Sequence, residues 1–163
     1  MWLVILVAFL GLLAGRVISY YTKDEYKSGL KYFKLIEKIL IGVIVLVLVF
    51  SKPSLWLFVY ILIGIVIGFF VRRVYLFLGF GLLSILFLGE NLILLVSVLV
   101  FFFGIVYSTV RQIKVKEIIL NGLIFFIPFL LLLMKSFINA NLSILLGLSI
   151  GGLLAQLGRA PGS

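Results

Sequence analysis

Residues 19–38 read SYYTKDEYKSGLKYFKLIEK, and residues 39–50, directly after them, read ILIGVIVLVLVF. The first stretch gathers five of the 14 basic residues and three of the 5 acids; the second has no polar side chain at all. Thr22 and Glu25 form a T-x-x-E capping box, so a helix is expected to start there. Lys27, Lys31, Lys34 and Lys38 then recur at spacings of four, three and four, which places them on one helical face. Tyr26, Leu30, Phe33, Leu35, Ile36 and Leu40 supply apolar contacts around the other side. The spacing predicts a basic amphipathic helix that runs straight into an apolar one. At a cytoplasmic membrane surface each such lysine contributes about 1 kcal/mol of attraction to anionic lipid headgroups. The stripe reads either as a topology signal with a solvated face or as a docking surface for an acidic partner or a lipid-linked phosphate.

The rest of the chain explains why the charge gathers. Of 163 residues, 65% are hydrophobic and only 12% charged. Ordinary soluble domains are roughly 45–50% apolar and about 25% charged, and a soluble fold of this size could not hide the excess. Lipid is therefore the expected solvent, and residues 1–157 form one expected transmembrane domain. The terminal GRAPGS, Gly158 to Ser163, is small and turn-rich and reads as a cloning scar or tag remnant. A cleaved signal peptide would carry its charge before the first apolar run, whereas here Arg16 follows it, so a retained first helix is expected. The net charge of +9 does not imply nucleic acid, because the basic residues sit in short segments between apolar runs.

A helix needs about 20 residues, with a range of about 17–25, to cross a hydrocarbon core roughly 30 Å thick. Seven spans are expected: 2–20, 35–50, 55–71, 74–88, 91–110, 118–134 and 142–157. The fourth is short and carries Gly79 and Gly81, where an interruption is expected; the sixth contains Pro128, where a kink is expected. Eleven basic residues fall in or beside the odd-numbered loops: Arg16, Lys23, Lys27, Lys31, Lys34, Lys38, Arg72, Arg73, Arg111, Lys114 and Lys116. Only Lys52 and Lys135 fall in the even-numbered ones. By the positive-inside rule this asymmetry puts the N-terminus outside and the C-terminus in the cytoplasm. The expected fold class is thus an all-α integral membrane protein, a multi-pass bundle of about seven helices in the cell membrane.

Small residues four apart let helix backbones approach closely in lipid. Gly11 and Gly15, Gly64 and Gly68, Gly104 and Ser108, and Gly147 and Gly151 all have this spacing, each pair on a span expected to run from outside to inside. They serve either packing within the chain or an interface with a second copy or another membrane subunit.

Absent residues bound the chemistry. With no cysteine and no histidine, thiolate chemistry and imidazole general bases or ligands are excluded. Asp24 is the only aspartate, there is no HExxH, and no acidic cluster could hold magnesium. No cofactor and no enzymatic activity are expected. Ionisable groups inside spans are functional suspects, and Glu90, beside Asn91, reads as the one acid next to an apolar run. Broken helices expose backbone groups that can bind a solute. The leading expectation is a small channel or transporter in which spans four and six line a pathway shaped by Gly79, Gly81, Asn121 and Pro128, with Glu90 at its outer mouth. The alternative is a non-catalytic subunit or scaffold that docks through its glycine faces and its lysine helix.

Overall fold

The computed structural model describes residues 2–21 and 26–158, all within helices or the short connections between them, with no strand. The elements are α1 (Trp2–Tyr21), α2 (Tyr26–Ser51), α3 (Leu55–Phe70), α4 (Val74–Ile85), α5 (Glu90–Arg111), α6 (Val115–Phe126), a 3-10 segment (Ile127–Met134), α7 (Lys135–Ala140) and α8 (Leu142–Leu157). The Thr22–Glu25 capping box and the residues after Gly158 lie outside the described residues.

Punctuation in the sequence accounts for the breaks. Pro53 disfavours helical backbone at Lys52, so α2 stops at Ser51. Ser54 then caps α3 with its hydroxyl, which accepts the Leu57 N–H at 3.2 Å. Gln112 closes α5 in the left-handed region at φ 47. Pro128 stands at the start of the 3-10 segment, where α-helical hydrogen bonding gives way over eight residues.

Among the described residues three helical stretches are long and apolar enough to cross a membrane: Leu3–Tyr21, Glu90–Arg111 and Val115–Ala140, the last comprising α6, the 3-10 segment and α7. Helices α3, α4 and α8 are apolar but shorter. The broad outward display of leucine, isoleucine, valine and phenylalanine on α1, α2 and α3 marks the surface of a helical bundle suited to lipid.

Two helix pairs dominate the packing, α1 with α5 and α3 with α8. Both are parallel. Gly11 lies against the Phe101 carbonyl and Gly15 against that of Ile105, so the pair advances in register. Thr109 reinforces it by donating from Oγ1 to Gly15 O at 3.3 Å while also bonding Ile105 O at 2.8 Å. Along the second pair Gly64 meets Gly147 and Leu148, and Gly68 meets Gly152 and Ala155. A Cβ at Gly64 would stand 2.7 Å from Gly147 O, and one at Gly68 would stand 2.9 Å from Gly152 Cα. Only glycine permits such contact between backbones. Within these pairs the glycine faces on both sides are therefore occupied by partners inside the chain.

The arrangement repeats itself. Helices α1 and α2 both pack on α5, and α3 and α4 both pack on α8. Helix α2 also reaches α8, and α4 reaches α5, so the two three-helix units interlock. Helix α4 is the centre. Ten of its residues are buried, from Val74 to Ile85 on every side. A helix apolar all round is one that belongs in a core.

The expected interruption of the fourth apolar run is not there. Helix α4 passes through Gly79 and Gly81 without a break. Both glycines make room for neighbours instead: Gly79 for the Phe125 carbonyl and Pro128, Gly81 for Ser149 and Leu48. At twelve residues α4 is about 18 Å long.

Candidate functional site

A small polar recess lies where α3 and α5 end and α4 begins. Its walls are Glu37, Ile41, Arg72, Val74, Tyr107, Arg111 and Gln156, and it encloses about 40 Å³. A cavity needs about 10–15 Å³ of such space to hold one water, so this one has room for a few waters or one small ion. Glu37 comes from α2 and is 8% exposed. It reaches Arg111 on α5 at 3.5 Å, and the side chain of Arg111 is itself about half exposed. The guanidinium of Arg111 also lies 4.4 Å from the centre of the Tyr107 ring, a cation–π contact. Gln156 donates from Nε2 to the carbonyls of Gly68 (3.3 Å) and Val71 (3.1 Å), satisfying the end of α3. Beneath Tyr107 lies Tyr75, ring centres 5.4 Å apart and edge to face. Its hydroxyl is buried with no hydrogen-bond partner among the described residues.

Glu37 corrects the sequence reading, which took Glu90 for the one acid beside an apolar run. The signal was present but masked by the lysines around it. Glu37, Ile41, Ile44 and Leu48 recur at four, three and four, and all are buried. The carboxylate thus continues the core stripe of α2 rather than its solvated face. A carboxylate at this depth is costly unless paired, and Arg111 is the pair.

At the opposite end of α4 lies a larger and chemically different cavity, of about 600 Å³. It is lined by Ile5 of α1, Leu86 and Phe87 after α4, and Phe129, Leu130, Leu132, Leu133 and Lys135. Most of one wall is therefore the 3-10 segment. Among the described residues Lys135 is the only charged one in the lining.

No family model, curated protein or solved structure matches this chain.

None of the expected pathway residues is among the described residues that line the larger cavity, and only Pro128, with Gly79 packed on it, lies beside the wall. Pro128 is buried beside its wall, and a methyl group at Gly79 would stand 3.1 Å from Pro128 Cγ. Asn121 is buried on α6 at 6% exposure. Gly81 faces away, toward α2 and α8. Glu90 is exposed as the first residue of α5 and is absent from the cavity wall. An acid there suits the positive end of the helix dipole.

Of the lysine stripe, Lys31 and Lys38 are exposed and Lys34 is half-buried, while the side chain of Lys27 lies outside the described residues. Among the described residues no group of acids, histidines or cysteines could hold a metal ion. The hydroxyls of Ser97 and Ser108 are buried on α5 without a hydrogen-bond partner among those residues. Ser149 bridges helices by donating to Phe77 O at 2.7 Å.

Proposed function

We propose that the chain is a multi-pass protein of the cell membrane that binds and moves a small lipophilic solute. In this reading it has seven spans, its N-terminus outside and its C-terminus in the cytoplasm. The solute enters the 600 Å³ cavity at the end of α4, where the wall is the 3-10 segment. That juxtaposition carries the reading. Irregular backbone at membrane depth is tolerated where it is buried or lines a cavity. Runs of 3-10 helix beyond three or four residues are uncommon and often mark a hinge, and this one has eight. The volume falls within the roughly 300–1,000 Å³ of small-molecule sites. The lining selects an apolar body, and Lys135 favours an acidic end group. The parallel pairing of α1 with α5 and α3 with α8 agrees with the alternation of basic and neutral loops, which supports the proposed topology.

The test uses liposomes reconstituted with the protein and a fluorescent fatty acid as probe. The intact protein should bind the probe and speed its passage into the vesicle. Leu132→Trp, which fills the cavity, should abolish binding, and Pro128→Ala or Asn121→Leu should change the rate. Protein-loaded vesicles that neither bind nor pass the probe faster than empty ones would shift the reading to the scaffold. Since the glycine faces of the two dominant pairs are occupied within the chain, a scaffold would dock chiefly through the lysine stripe of α2.

A further inference from the structure

We infer that the small polar recess between Glu37, Arg72, Arg111 and Gln156 is a binding site for a phosphate-class oxyanion. The inference is independent of the lipophilic-solute reading, because this recess lies at the other end of α4 from the large cavity.

Charge is the first ground. Two guanidinium groups face one carboxylate, so the walls carry a surplus positive charge. Lys34, Lys38 and Arg73 stand close enough to act electrostatically on Glu37 or Tyr107 and add to it, and Glu117, which also acts on Tyr107, offsets one of them.

Unspent donors are the second. Arg72 is exposed in the connection between α3 and α4 and makes no ion pair with any described residue. Arg111 contacts Glu37 at 3.5 Å, well beyond the roughly 2.7–2.9 Å of a tight N⁺–H···O⁻ bond. A guanidinium offers five N–H donors in a fixed fork, so this one contact leaves most of Arg111 available. The Tyr107 ring lies 4.4 Å from the same guanidinium, a cation–π contact that uses none of its N–H donors. Such forks match the oxygens of phosphate in pairs.

Size is the third. About 40 Å³ admits an anionic group but no organic body. The rest of any larger ligand must remain outside, as a lipid would with its headgroup phosphate inserted. Free phosphate offers the same chemistry from the aqueous side. In either case Glu37 holds Arg111 while the site is empty and competes with the incoming anion for it.

Two arms separate these sources. In the first, the protein in phosphate-free detergent is titrated with sodium phosphate against sodium chloride of equal ionic strength. In the second, the micelles are doped with phosphatidic acid or with diacylglycerol. The readout is the helix-melting midpoint by circular dichroism. At least one phosphate-bearing ligand should raise the midpoint saturably where its control does not. Arg72→Gln should weaken that binding at least tenfold. It alters an exposed side chain that makes no ion pair with any described residue, and so leaves the fold intact. Glu37→Gln should tighten binding severalfold by removing the competitor, whereas a purely structural ion pair would give only a lower midpoint. A response to phosphatidic acid alone identifies the lipid headgroup, and a response to inorganic phosphate alone identifies a soluble ligand. Equal midpoints with phosphate and chloride, and with phosphatidic acid and diacylglycerol, overturn the inference. So does wild-type binding by Arg72→Gln.

Discussion

A methyl group at Gly151 should split the α3–α8 pair. Its Cβ would collide with the Ile61 carbonyl, and would stand 2.6 Å from Ile65 N and 2.7 Å from the carbonyl carbon of Gly64. All three are backbone atoms of α3, so no side chain can rotate away. Relief requires the helix axes to part by about 0.5–1 Å, which forfeits a quarter to a half of each dispersion contact along the seam. Overpacking of this kind costs about 1–3 kcal/mol. Gly42 on α2 is the matched control, because a Cβ there meets nothing within 4 Å. Gly42→Ala should be neutral, or more stable by up to about 1 kcal/mol, since alanine is the better helix former. The assay is reversible unfolding in mixed micelles, read by circular dichroism. Because Gly64 lies across the same seam, the double variant Gly64→Ala/Gly151→Ala should lose less than the sum of the two single losses. Equal stabilities for Gly151→Ala and Gly42→Ala would refute the backbone contact, and strict additivity would refute the shared seam.

Topology can be read by single cysteines at positions 27, 52, 90 and 114 of this cysteine-free chain. An impermeant reagent added outside intact cells should label 52 and 90 and spare 27 and 114; labelling of 27 and 90 from the same side would rule out seven spans. Replacing Lys27, Lys31, Lys34 and Lys38 together by Gln should weaken attachment to anionic vesicles by up to about 4 kcal/mol, at about 1 per lysine. Unchanged, salt-insensitive vesicle binding would mean that the stripe is only solvated.

Much of the helical outline was legible in the sequence. The last apolar run was expected at 142–157 and is a helix over those residues; the third was expected at 55–71 and ends one residue earlier. Hydropathy and punctuation suffice for this, because Pro53, Ser54 and Pro128 act on backbone within a few residues of themselves. The departure from α geometry at Pro128 was legible for the same reason. The glycines in α4 were not read correctly: glycine removes a side chain without removing a hydrogen bond, and here close neighbours keep the helix whole.

What the sequence determined by itself is the apolar, helical character of the chain and the gathering of basic residues between apolar runs, all properties summed over neighbouring residues. Only the tertiary structure decided that α4 is central, that α1 seeks α5 and α3 seeks α8, and that Glu37 meets an arginine 74 positions away. Every apolar helix is an acceptable neighbour for every other in lipid, so hydropathy does not choose among pairings. The choice comes from where small residues on two distant helices fall into register, and from the cost of leaving a buried carboxylate alone.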